Sequence, residues 1–122
     1  MNIAGTAYLG TGPRDVVACF TEARSNGVRL IDLRCIQINH HFHDSKFSSV
    51  GIMIDPHTDV RYATQFLQEL KKREGSWTMA VARYHAEPNN NAAQKQYICR
   101  VGANMVATGF GQWTPAATQF CR

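Results

Sequence analysis

The dipeptide Asp55-Pro56 constrains this chain more than any other feature, because it marks where a long helix begins. Proline has a fixed φ close to the helical value and no N–H to lose, so it suits the first helical position. An Asp just before it can cap the first turn. Asp59 adds negative charge at the positive end of the helix dipole. Val60, Ala63, Phe66, Leu67 and Leu70 then recur at three- and four-residue spacing, which is one face of a helix. Lys71, Lys72 and Arg73 sit at the negative end, and Gly75 stops the run. Ser76 caps a second helix, in which Met79 or Ala80, Val81 and Tyr84 face inward.

Similar reasoning places two more helices. Pro13 can open one, Asp15 favours its first turn, and Asn26-Gly27 ends it. Val16, Phe20 and Ala23 share its face. After the loop 87–91, Tyr97, Ile98, Val101, Met105 and Val106 lie mostly on one side of another. The predicted helices are 14–26, 58–74, 77–85 and 92–106, with little sheet. Residues 28–33 alternate apolar and polar side chains, as a short strand or an extended entry would. Residues 36–41 read as a short helical piece, and 43–54 as a surface loop with Phe47, Val50 and Ile52 tucked inward. Gly5, Gly10 and Gly12 suggest turns near the start, and 109–122 reads as irregular, held by Trp113, Phe120 and Cys121. With no internal repeat and no low-complexity linker, the 122 residues are expected to form one mainly α domain, 1–122.

A 44% apolar and 18% charged composition is that of a globular protein and argues against disorder. The net charge of +4 suits an anionic polymer, but the basic residues are scattered. No basic stripe interleaves with aromatics, which argues against nucleic acid. No apolar segment is long enough to span a membrane, and residues 1–9 show no secretory signal. Cys19, Cys35, Cys99 and Cys121 form no C-x-x-C pair. They leave three full disulfide pairings open, with buried free thiols as the alternative. His40, His41 and His43 could ligate a metal, but no carboxylate or cysteine completes a tetrahedral set, so a solvated loop is the better reading. No cofactor is implied.

The polar residues set among aliphatics carry the functional signal. Residues 31–43 interleave Ile31, Leu33, Ile36 and Ile38 with Asp32, Gln37, Asn39 and the three histidines. Amides beside buried aliphatics are expensive unless paired, yet useful in a cleft that reads sugar hydroxyls and acetamido groups. Taken singly, Gln37 and Asn39 are as readily helix caps or core-satisfying amides, and Tyr84 a core aromatic.

The series Q-I-N at 37–39, D-P at 55–56, Y-A at 62–63, G-S-W at 75–77 and A-V-A-R-Y-H-A at 80–86 resembles the lytic transglycosylases. The branch is the soluble type related to goose-type lysozyme and to wall-opening proteins of secretion systems. The similarity runs from about Asn2 to about Val101. It implies a lysozyme-like helical domain of lytic transglycosylase type, acting on peptidoglycan glycan strands in the periplasm or cell envelope. A secretion or other envelope-spanning apparatus is an implied partner. In that family one Glu protonates the leaving oxygen of the MurNAc–GlcNAc bond. The same Glu then acts as base while the sugar's own 6-hydroxyl closes a 1,6-anhydro ring. The resemblance assigns substrate binding to Gln37, Asn39, Tyr84 and His85, converging on one groove, with Tyr84 also supporting the catalytic Glu.

Two departures stand out. The family's Glu lies upstream of Q-I-N at the end of an apolar helix, usually before Ser. Here Glu22, followed by Ala23, is the one acid of that type. Residues 2–5 match a segment that the branch places after its Glu, so the expectation is a domain incomplete at its N-terminus. Arg34 stands where the family prefers Gly. Glu22 and Glu87 remain candidate acids, one by its place upstream and the other by its closeness to Tyr84. A binding domain without catalysis and a helical interaction protein are the alternative functions.

Overall fold

The computed structural model describes residues 1–33, 38–86 and 89–122. The described chain is mainly helical with a small antiparallel sheet. It divides into two compact units, Met1–Gln65 and Phe66–Arg122.

The first unit begins with a hairpin of β1 (Asn2–Ile3) and β2 (Thr6–Ala7). Its two-residue loop, Ala4-Gly5, has φ of 48° and 92°. Positive φ at both loop positions is the signature of a type I′ turn, whose twist matches that of paired strands. The Asn2 side chain accepts a hydrogen bond from the Gly5 N–H at 2.8 Å and steadies the loop. β1 pairs with β3 (Ile31–Leu33), which pairs with β4 (Ile38–Asn39), giving the order β2-β1-β3-β4. The register sets Leu33 opposite Ile38 and Asp32 opposite Asn39. Side chains alternate across a strand. Ile31, Leu33 and Ile38 are therefore buried, while Asp32 and Asn39 stay half-exposed on the other face.

Helix α1 (Pro13–Ser25) connects the hairpin to β3 and buries Phe20 and Ala23. The Asp15 carboxylate accepts from the Thr11 N–H and the Tyr8 hydroxyl, both at 2.8 Å. These bonds hold Asp15 below the usual carboxylate range, the Thr11 N–H contributing most, and hold the Tyr8 hydroxyl above its usual value. At the other end Gly27, at φ 82°, lets its N–H reach the Arg24 carbonyl and the Val28 N–H reach that of Ala23. That is a Schellman closure.

Three further expectations for this unit need correction. Ile38 and Asn39 are strand rather than helix, and helix α2 (His40–His43) starts only after them. Residues 43–54 are not one loop: a 3₁₀ turn (Asp44–Lys46) is followed by α3 (Val50–Met53), which the Ser49 side chain caps. Ile52 is exposed there, and Met53 and Ile54 are buried in its place. A four-residue helix has too few turns to leave a periodic trace.

Helix α4 (Pro56–Glu74) starts as expected, with the Asp55 carboxylate accepting from the Thr58 N–H at 2.9 Å. It buries Ala63 and Leu70, but Val60 is 46% exposed. Asp59 lies in the first turn, as expected, and is wholly buried there.

In the second unit α4 ends at Gly75, and Ser76 caps α5 (Trp77–His85) by accepting from the Met79 N–H at 3.2 Å. Helix α5 packs against α6 (Asn91–Ala107), and its buried residues are the small Ala80 and Ala82. Small side chains let helix backbones come close. The tail is not irregular throughout: Thr114 caps a last helix, α7 (Pro115–Phe120), with proline at its first position. A disulfide from Cys99 on α6 to Cys121 ties this helix down, Lys95 Nζ lies 5.4 Å over the Phe120 ring, and Cys19 is a free thiol. Cys35 lies outside the described residues.

The disulfide joins residues 22 apart in sequence. Loop-closure entropy for a ring of that size corresponds to about 3 kcal/mol. Replacing Cys99 and Cys121 by Ser is expected to lower the denaturant-derived unfolding free energy of the second unit by about that amount. An unchanged midpoint would show that the bridge constrains nothing.

Candidate functional site

Asn39 sits at the junction of β4 and α2 and is engaged on both sides of its amide. Its Nδ2 donates to Asp32 Oδ1 at 2.6 Å, and its Oδ1 accepts from the His41 N–H at 3.0 Å as the cap of α2. An amide carries two hydrogens and two lone pairs, and these bonds use one of each. Gln37, its expected partner, lies outside the described residues, as do Glu87, Arg34 and Ile36.

Tyr84 and His85 belong to the second unit, at the end of α5. The Tyr84 ring meets Phe66 of α4 at 5.6 Å between centroids. His85 is exposed and stacks on Tyr97 of α6, with centroids 4.1 Å apart and planes within 8°. Burial raises the Tyr97 hydroxyl above its usual value, so it stays protonated near neutral pH. Next to Tyr84, Arg83 lies 3.6 Å from Glu74, which also takes Arg73 at 2.9 Å. Sequence reasoning missed this link between the end of α4 and α5, although the acid before Gly75 and the arginine before Tyr84 were visible.

Glu22 is exposed on α1. A carboxyl acting as a general acid near neutral pH is ordinarily held in an apolar pocket.

The histidines of α2 are helical rather than loop; His41 is exposed, but His40 and His43 are partly buried. His40 packs on Phe20 at 4.6 Å between centroids, and its Nδ1 is buried with no hydrogen-bond partner among the described residues. His43 Nδ1 lies 2.7 Å from the Tyr62 hydroxyl, whose ring is also edge-on to Phe47 at 4.7 Å. When His43 carries its proton on Nε2, that hydroxyl donates to Nδ1. Burial is the main cause that lowers the proton affinity of both imidazoles, with Lys46 adding to the effect at His43. Asp44 opposes it at His40. Among the described residues no three His, Cys, Asp or Glu side chains come together as metal ligands.

Protonation of these two histidines is therefore linked to unfolding. In the unfolded chain each titrates near 6.5, while in the folded chain each binds its proton at lower pH. The stability they contribute is fully present above about 6.5 and is lost as pH falls through the folded values. Denaturant titrations between pH 8 and 4.5 are expected to show a decline beginning near 6.5. His40→Phe, which keeps a ring against Phe20, is expected to flatten it in part. A stability that stays flat or rises on acidification would contradict this assignment.

Set against protein-family models, curated proteins and solved structures, the chain matches none.

Proposed function

We propose that this chain is a lytic transglycosylase-type domain of lysozyme-like fold that binds peptidoglycan glycan strands in the periplasm or cell envelope. An envelope-spanning apparatus is the partner this reading implies. The observation that carries it is the ordered series of five motifs from Gln37 to Ala86. The local structure is compatible with that series. D-P opens α4, Ser76 of G-S-W caps α5, and the Tyr-His pair falls in the last turn of α5. A mainly helical fold is what the reading requires, and no helix among the described residues is long and apolar enough to cross a membrane. On this reading Gln37, Asn39, Tyr84 and His85 bind sugar, and Tyr84 supports a catalytic acid.

Binding and cleavage separate in this chain. Bond cleavage needs a carboxylic acid beside the glycosidic oxygen, and Glu22 is exposed. General acid assistance is typically worth about 10²- to 10⁴-fold, and without it the leaving sugar must depart as an alkoxide. The 122-residue chain is expected to sediment with insoluble peptidoglycan and to release no anhydro-muropeptides detectable by mass spectrometry. Anhydro products would refute the missing-acid argument, and Glu22→Gln and Glu87→Gln would then identify the carboxylate. Failure to sediment would refute peptidoglycan binding and favour a helical interaction protein.

A further inference from the structure

We propose that a groove at the C-terminal end of the second unit is a second saccharide subsite, one that takes an N-acetylhexosamine ring of a glycan strand. The groove has a volume of about 480 Å³ and is lined by Trp113, Pro115, Thr118, Gln119 and Arg122. Ligand sites of this size are built from an apolar surface and a few convergent polar groups. All five residues follow Val101, so the groove lies outside the stretch that carries the family resemblance.

The lining matches a sugar ring in kind. A hexosamine has an apolar C–H face and a rim of hydroxyl and acetamido groups. Trp113 offers a broad apolar face and is 42% exposed. Thr118 and Gln119 can donate and accept, and Arg122 presents a fork of donors.

The platform is also held in place, which lowers the ordering needed on binding. The six-membered ring of Trp113 lies over Gly102 of α6, where a Cβ would sit 3.6 Å from its Cη2 and 3.8 Å from its Cζ3. Pro115 opens α7 beside it, and Thr114 caps that helix through the Ala117 N–H at 3.1 Å. At the far end the Cys99–Cys121 bridge anchors the residue before Arg122, and Lys95 Nζ donates to the Arg122 carbonyl at 3.4 Å. The ring and the polar edge are thus both tied to α6.

This subsite rests on the peptidoglycan reading, and the test keeps the two apart. Trp77 is exposed at the start of α5, so Trp77→Phe leaves Trp113 as the one tryptophan without disturbing the core. Its emission is followed while the N-acetylglucosamine trimer is added, and sedimentation with insoluble peptidoglycan is measured in parallel. A saturable change in Trp113 emission is expected. Trp113→Ala is expected to weaken peptidoglycan binding about tenfold, with an unchanged circular dichroism spectrum. Gln119→Ala, which keeps the tryptophan seated, is expected to weaken the trimer titration. If the parent sediments, Trp113 emission stays constant and Trp113→Ala binds as the parent does, the groove is refuted and the peptidoglycan reading stands. If Trp113 responds to the trimer while the parent does not sediment, the subsite stands and the peptidoglycan reading falls. If neither occurs, both fall.

Discussion

Burial of Ile31, Leu33 and Ile38 is the interaction on which the first unit depends. Strands of two or three residues make too few backbone hydrogen bonds to persist in water by themselves. Here the sheet is stabilised from below: the relative exposures of these three side chains are 0%, 0% and 2%. Each such burial is worth about 1.5–3 kcal/mol as an upper estimate. The register follows from the same burial, because a slip of one residue would turn all three to the other face. That register is what brings Asp32 and Asn39 side by side.

The second unit uses a different device. Besides Leu70, the buried apolar side chains of this unit among the described residues are the small Ala80 and Ala82, while large side chains such as Trp77, Met105, Phe110 and Trp113 are exposed. So few buried apolar side chains remove little apolar area from water. A covalent tie between α6 and the end of the chain compensates by restricting the unfolded ensemble rather than adding contacts to the folded one. The tie keeps the chain after α6 from fraying, so a helix as short as α7 can stand there.

Legibility of the sequence followed element length. The four long helices were readable, α4 and α5 most clearly: Asp55 and Ser76 cap where expected, and α5 has the predicted bounds. In α6 the expected apolar face is not buried: Met105 is exposed, and the buried residue is Gln94. The short elements were not readable. Two residues of β1 or β2 cannot display alternation, and four residues of α3 cannot display a helical period. The cap and proline of α7 were visible at Thr114-Pro115, but six residues offered no apolar face to confirm them. In the candidate site the residue types were legible and their partners were not. Nothing in the local sequence says that Asn39 faces Asp32, that His43 reaches Tyr62, or that His85 lies flat on Tyr97, because each partner is fixed by tertiary placement. Asp59 shows the same gap: its helical position was clear, while its complete burial was not.

The pairing of Asn39 with Asp32 depends on which of its two amide heavy atoms is nitrogen. That nitrogen is a donor placed 2.6 Å from a carboxylate oxygen of Asp32. Deamidation would change that atom from donor to acceptor without changing the shape of the side chain. Two carboxylates would then face each other across β3 and β4, where one must take a proton or both must move apart. The cap of α2 would survive, since its acceptor oxygen remains. The loss of one hydrogen-bond donor would therefore act on the pairing of the two strands and leave the helix start intact, a lesion that adds only one unit of mass.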